Sequence, residues 1–577
     1  MRIISANAPF RELSGFPNTP INIKEDNMKK IYRYLALILC AALMLAVAAC
    51  SSSDNASKSS DQPGTASQAP GGSSNSPATS GSSGESSSPG GSTSGSGGGL
   101  TSARDTLNVA ISGDTGNLDQ VFGGFAGIIY QYYEGLINYK ADGTIIWLLA
   151  EDIEEIGTTS WIIHCRKGVK FSNGNDFTAQ DVWFTFDRVL SNPQSAFFLN
   201  TIDLEHSRII DDYTLEIALN SYSVQQIGSL SQIYIKDAES FDEDDAVTNP
   251  IGTGPWIVEE YVVNSHVYLK ANENYWGGKP VIDKLHYRVF NEDAQVINAL
   301  QSGLVDIAAV PAQEIDFVKT LPDYTVHQFS NVFAATLSFN MSEDSVMYNL
   351  DARLAMCYAL DRQAIANLAY FGSATVLNYP VSQNCRDFEP RLENMHPTYS
   401  VGRDLDLAKK YAEEAGIVGK DIVVITNGAP AYVTSAEILQ ACMKDIGVNV
   451  IINNYDGATY MDAQRDTTKW DMTLYAVASP QALAIGMLYE YILWGGDRYT
   501  GWPEHDYYME LGARGVGTPD PEARREILYE MSQLFVDAVP WYGICDQMAS
   551  MAINKNLANV EILGSGVMRF LDWYWTA

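Results

Sequence analysis

The stretch WIIHCRKGVKFSNGNDFTAQDVWFTF, residues 161–186, sets the class of fold. Trp161 to Cys165 alternates apolar and polar residues as a half-buried strand does. Thr178-Ala179-Gln180-Asp181 then places an N-cap hydroxyl three residues before an acid, a capping-box variant opening a helix that carries Val182, Phe184 and Phe186. The same alternation of strand and helix extends outward. Thr106 to Ile111, Thr214 to Leu219, Val267 to Leu269 and Leu285 to Val289 read as strands. Gln295 to Leu300, Ala352 to Leu368, Leu405 to Ala415, Ser435 to Ile446 and Pro521 to Val536 carry helical spacing. Interspersed strands and helices predict an α/β class. No internal repeat is visible. Gly252-Thr253-Gly254-Pro255 offers two residues free to take positive φ before Trp256; no third glycine follows at dinucleotide-loop spacing, so a tight turn is expected.

At 577 residues the chain is too long for one core, and two or more lobes are expected. Against 37 Lys plus Arg stand 70 Asp plus Glu, a formal charge of −33 that repels phosphate backbones and excludes nucleic acid as a partner. The 11 Trp and 32 Tyr suffice to fill cores and also line an aromatic pocket. No phosphate-cradle glycine loop, HExxH or GxSxG motif is present, and the seven histidines are scattered, so neither catalysis, a cofactor nor a metal site is expected. The acidic cluster Glu239, Asp242, Glu243, Asp244 and Asp245 lacks the spaced calcium-loop pattern and reads as a solvated loop.

The first hundred residues read as an address and a tether. From Met28, Lys29, Lys30 and Arg33 precede an apolar run from Leu35 to Val47, too short for the ~20 residues of a membrane span. This is a signal peptide, and the 27 residues upstream, with Pro9, Pro17, Pro20, Glu25 and Asp26, read as an extension from a misassigned start. Val47-Ala48-Ala49-Cys50 resembles the bacterial lipobox, which implies lipidation of Cys50 and cleavage just before it. Residues 51 to 100 hold 19 Ser and 11 Gly, the composition of a flexible linker with a reach of about 40 Å. Of the seven cysteines, Cys40 falls in the signal and Cys50 at the anchor. Cys165, Cys357, Cys385, Cys442 and Cys545 show no CxxC spacing and are expected as buried small hydrophobes.

Several blocks in fixed order carry a family resemblance. They are Leu107 to Asp119; Glu134-Gly135-Leu136; Trp161 with Arg166 to Phe171 and Asn173-Gly174; Phe177 to Val182; Pro250 to Trp256 (PIGTGPW); Asn272 to Pro280 (NENYWGGKP); Ala299 to Ile307; Phe339-Asn340; Arg353 to Arg362; and Ala408 to Gly416. Residues 105 to 577 resemble the bacterial extracellular solute-binding proteins of family 5, which include peptide-binding components of ABC importers. The resemblance implies a periplasmic-binding-protein-like flytrap of the large type II form, whose two lobes are joined by crossover strands. Lobe I would comprise 105–145, 221–328 and 542–577, an inserted subdomain 146–220, and lobe II 329–541, after an N-terminal 1–49 extension and signal and a 50–104 lipidated linker.

It further implies a monomer, held by lipid on the extracellular face of the cell membrane, that captures a peptide-like solute by lobe closure and hands it to membrane permease subunits. Alternatives are the same transport role with an oligosaccharide or metal chelate, a ligand-presenting receptor for a membrane sensor, and, less fittingly, a secreted hydrolase. By family position the solute would meet Phe122, Phe125, Phe197, Phe198, Phe333, Tyr475, Val477, Ala478, Ser479, Trp494, Trp502, Trp541 and Tyr542, with core packing as the alternative for each aromatic. In one respect the chain departs from the pattern. Peptide-binding members carry a W-x-x-D-Y-like segment whose Asp pairs with the peptide's amino end, whereas Asp471 to Pro480 here continues without a further acid until Glu490. Either another carboxylate substitutes or the solute has no free amine there.

Overall fold

The structure, a computed structural model, describes residues 101–577 apart from 115, 120–126, 141–142, 193–194, 479–481 and 564–566. Trp161 to Cys165 lies in the strand Ser160–Cys165, within a four-stranded antiparallel sheet beside Ala150–Ile156 and Thr214–Leu219, with Ile202–Asp211 at the far edge. The helix Ala179–Ser191 covers this sheet, and its capping box is formed. Thr178 accepts from Gln180 N, and one Asp181 oxygen accepts from Thr178 N at 2.7 Å. The other oxygen accepts from Ala238 N at 2.9 Å, so the cap also pins a segment distant in sequence. Val182 and Phe186 enter the core with Trp161, Ile163 and Phe171. Phe184, on the other helix face, packs against Phe241 instead, with ring centroids 5.5 Å apart and the rings tilted.

A second, mixed sheet of eleven strands spans the molecule. At one end Asn449–Asn454, Asp421–Thr426 and Met472–Val477 run parallel. At the other, Ile307–Ala309, Thr106–Ser112 and Lys284–Phe290 run parallel and continue antiparallel through His266–Ala271 to Trp256–Val262. Two long antiparallel crossover strands, Tyr324–Phe339 and Trp541–Asn554, join the ends, and Ala374–Val376 pairs onto the second. Sixteen residues of extended chain span about 50 Å, enough to pass from one core into the next. One core runs from Val332 to Cys545 and a second gathers Leu107, Val109, Trp256, Leu285 and Trp573; the four-stranded sheet carries a third.

The blocks that carry the resemblance prove to be mutual scaffold. Buried Glu134 accepts from Thr253 Oγ1 at 3.0 Å, Tyr275 Oη at 2.6 Å and Trp276 Nε1 at 2.8 Å, tying three blocks together. Gly252 and Gly254 do not take positive φ as expected; they lie where the turn runs against residues 131–133. A Cβ on Gly254 would stand 2.6 Å from Gln131 O, and one on Gly252 would meet Tyr132 O. Close approach, not handedness, therefore requires glycine here.

The helical run expected from Ala352 to Leu368 is two helices, Leu350–Ala359 and Arg362–Leu368. Leu360 is extended, and Asp361 turns its carboxylate onto Ala364 N at 2.8 Å, capping the second helix at the expense of continuing the first. The helix expected from Ser435 begins earlier, with Pro430 in its first turn. Within the acidic cluster, Asp242 caps the short helix Glu243–Ala246 through Asp244 N and Asp245 N. Cys165, Cys357, Cys385, Cys442 and Cys545 are free and buried, and burial pushes the Cys165 and Cys545 thiols up to about 12. Among the described residues no helix is long and apolar enough to cross a membrane.

Candidate functional site

Midway along the first crossover strand the pairing slips. Tyr324 to Ser330 pair with Asn554 to Met548, register shifts across residues 331 and 332, and pairing resumes at Phe333 with Gln547. Val332 sits in the bulge with φ 57°, a left-handed conformation that a β-branched side chain adopts only under constraint. Its N–H donates to Ser330 Oγ at 3.0 Å. Ala334 then pairs with Asp546 on one side and with Val477 on the other, so Val477, Ala334 and Asp546 form a row across three strands where the chain passes between cores. Phe333, one step before that row, is 43% exposed.

An aromatic shelf continues from the row. Tyr475 stacks on Tyr491 at 6.1 Å, and Tyr491 lies 5.3 Å from Trp494, which is 57% exposed. Tyr491 Oη accepts from Ala478 N at 3.0 Å, fastening the end of the strand Met472–Val477 to the helix Ala484–Gly495. Across the row, Gln547 Nε2 donates to Tyr432 and Tyr370 hydroxyls at 3.4 and 3.5 Å. Asp546 Oδ2 accepts from Ser330 Oγ, Ser382 Oγ and Asn384 Nδ2 at 2.8, 2.9 and 2.6 Å; burial nevertheless holds its carboxyl above the usual range.

Of the residues singled out from the sequence, Tyr475, Val477, Ala478 and Trp494 are thus brought to the row and shelf, with Val477 itself buried, while Phe333, one residue along the strand, exposes its ring on the opposite face from Ala334. Phe197 and Phe198 stack on each other at 4.1 Å; Phe198 belongs to the core of the four-stranded sheet while Phe197 is exposed. Trp502, Trp541 and Tyr542 lie in the core behind the row, not at its surface. Trp502 packs on Tyr508 and Phe535, and Phe535 on Trp541. Trp541 Nε1 donates to Pro380 O at 2.9 Å and Tyr542 Oη to Thr398 O at 2.7 Å, so their polar ends are committed to backbone. Cys50, Phe122, Phe125 and Ser479 fall outside the described residues. Sequence reasoning missed Tyr491, although its i, i+3 spacing to Trp494 was a signal. It also missed Gln547 and Asp546, which reach the row through strand register alone.

Elsewhere, segments flanking the four-stranded sheet meet the Val332–Cys545 core. Val224 N donates to Val516 O at 2.8 Å, Gly486 makes room for the Gln225 amide, and Arg386 lies over the Tyr139 ring at 4.8 Å. Burial pushes the Glu490 carboxyl up to about 7 against a hydrogen bond from Gln225 that lowers it. Asp119 pairs with Lys236 at 2.5 Å and Arg188 at 2.7 Å, and Lys236 Nζ lies 3.3 Å above the Tyr133 ring. Burial pulls that ammonium down to about 8 despite its partner. Among the described residues no group of three His, Cys, Asp or Glu side chains could hold a metal.

A mixed sheet shared by two cores, with exposed aromatic side chains where paired crossover strands pass between them, is the architecture of a two-lobed binding protein. Residues 144–493 match the bacterial extracellular solute-binding proteins, family 5 Middle, and the chain belongs to that family. Its role is the binding of a small solute, not catalysis. The nickel-binding periplasmic protein of Escherichia coli (strain K12) is 28% identical over 363 residues, covering 58% of this chain and 68% of that protein. The oligopeptide-binding protein OppA of Bacillus subtilis (strain 168) is 25% identical over 526 residues, covering 82% and 93% respectively. Among solved structures, NikA from Brucella suis in complex with Fe(III)-EDTA superimposes with a TM-score of 0.73 at 20% identity, over 82% of this chain and 99% of that one.

Proposed function

We propose that the protein captures a peptide-like solute at the passage between the cores, against exposed Phe333 and the shelf of Tyr475, Ala478, Tyr491 and Trp494, and delivers it to the permease of an ABC importer. The jaws in this reading are lobe I (105–145, 221–328 and 542–577, with 146–220 beside it) and lobe II (329–541). A solute that touches both stabilises the closed form by its differential affinity for it. The carrying observation is the slip at Ser330 and Phe333, which exposes an aromatic ring at the passage between the cores. Phe122, Phe125, Phe197 and Ser479 complete the expected lining, and Trp502, Trp541 and Tyr542 support it from behind. Lipid on Cys50 and the Ser/Gly-rich linker hold the domain at the outer face of the membrane.

A second reading, a metal chelate as cargo, is favoured by the nickel-binding relative and the NikA structure. Thermal shift of the domain from residue 101 against peptide pools, oligosaccharides and a nickel–histidine complex separates the two. Stabilisation by peptides is expected, and stabilisation by the complex alone overturns the peptide assignment.

A further inference from the structure

A cavity of about 350 Å³ lies where the four-stranded sheet meets the core that runs from Val332 to Cys545. Ile145 and Ile227, packed against the core of that sheet, line it from one side, and Leu483 and Leu528 of the other core line it from the second. Val224, also in its lining, ties the seam by donating from N to Val516 O at 2.8 Å. The cavity therefore exists only while the two cores are together.

Its charges are concentrated against the formal −33 of the chain: Arg386, Arg524 and Arg525 reach it, with Glu155 and Asp387. Most of these groups are engaged. Arg525 pairs with Glu522 at 2.6 Å, and Arg386 lies over the Tyr139 ring at 4.8 Å. Asp387 turns both oxygens onto the first turn of the helix Ala484–Gly495, accepting from Ala484 N at 2.5 Å and Ile485 N at 3.1 Å. Arg524 differs. Both of its hydrogen bonds leave from Nη1, to Thr518 O at 2.8 Å and Pro519 O at 3.2 Å, and no carboxylate among the described residues lies within 4.0 Å of it. A guanidinium held by carbonyls alone keeps its full charge, and its Nε and Nη2 edge presents the paired donors that a carboxylate fits. An inorganic anion would leave the apolar walls of Ile145, Ile227 and Leu528 without a partner.

We propose that this cavity binds a small carboxylate with an apolar body, its oxygens on Arg524, at a site separate from the aromatic shelf. Cavity and shelf occupy opposite ends of one helix. Asp387 meets the start of Ala484–Gly495 beside the cavity, whereas Tyr491 and Trp494 lie towards its end, about 15 Å along at 1.5 Å per residue. Such a site is independent of whether the cargo is a peptide or a chelate. Because its walls belong to both cores, an occupant favours the form in which they are together.

Titration calorimetry on the domain from residue 101 uses phenylacetate, indoleacetate and octanoate, each beside its neutral amide. At least one acid is expected to bind saturably, with its amide about 10-fold or more weaker, the weight of a lost hydrogen bond to a charged group. Arg524→Gln is expected to weaken the acid by a similar factor, and Arg524→Lys by less, because the charge stays while the fork is lost. Trp494→Ala, at the far end of the helix, should bind the acid as wild type does. Ligand-free melting curves check that each variant folds; should neither Arg524 variant fold, the acid–amide comparison and Trp494→Ala still decide. Binding by none of the acids, equal binding of acid and amide, or unchanged acid binding in Arg524→Gln overturns the proposal. A loss of about 10-fold in Trp494→Ala also overturns it, since the carboxylate would then lie on the shelf itself.

Discussion

Glu134 illustrates how much one side chain can organise. Its two oxygens satisfy donors from Thr253, Tyr275 and Trp276, and burial holds its carboxyl above the ordinary glutamate range. Glu134→Ala leaves these buried donors unpaired, and urea unfolding is expected to show a loss of at least ~3 kcal/mol, at roughly 1–3 kcal/mol per stranded group. Glu490 permits a sharper test by pH. Its carboxyl is raised to about 7 in the folded protein, so the folded state holds the proton more tightly than the unfolded one. Stability is therefore lost as pH rises from the usual glutamate range through about 7. Glu490→Gln should raise the melting temperature relative to wild type at pH 8 and leave it nearly unchanged at pH 5; a constant difference at both would refute the assignment. Neither hub was legible in the sequence, because Glu134 meets partners more than a hundred positions away and Glu490 is shifted by what covers it.

At the scale of elements, local chemistry was readable wherever it stays local. The Thr178 cap, the strands at Trp161 and Thr214 and the helix from Pro521 all follow from side chains that act on their own backbone or alternate with a fixed period. Thr178→Ala should cost about 1 kcal/mol, the usual worth of an N-cap. Asp181→Ala should cost more, because it also frees Ala238 N. Failures occurred where two elements touch. Gly252 and Gly254 looked like turn formers but are spacers against residues 131–133. Gly252→Ala is expected to destabilise by about 1–3 kcal/mol through overpacking, which a thermal melt will register. The continuous periodicity from Ala352 to Leu368 concealed the break at Leu360, since apolar spacing is indifferent to a capping carboxylate placed within it.

For the whole molecule the reading makes two demands. Small-angle scattering should show a smaller radius of gyration when the domain is saturated with solute than when it is empty, and identical profiles would contradict closure. Cys50→Ser should move the protein from the membrane to the soluble fraction. Composition and local pattern were enough to predict an acidic α/β protein, because charge balance, capping and alternation reside in neighbouring residues, and the resemblance of its ordered blocks pointed to the family 5 solute-binding proteins. They were also enough to place Phe333, Tyr475 and Trp494 among the candidates. They could not indicate which aromatics face the passage between cores, nor that Asp546 stands in the same row as Val477. Strand register across a bulge decides that, since a slip of one residue exchanges the buried and exposed faces of every position beyond it.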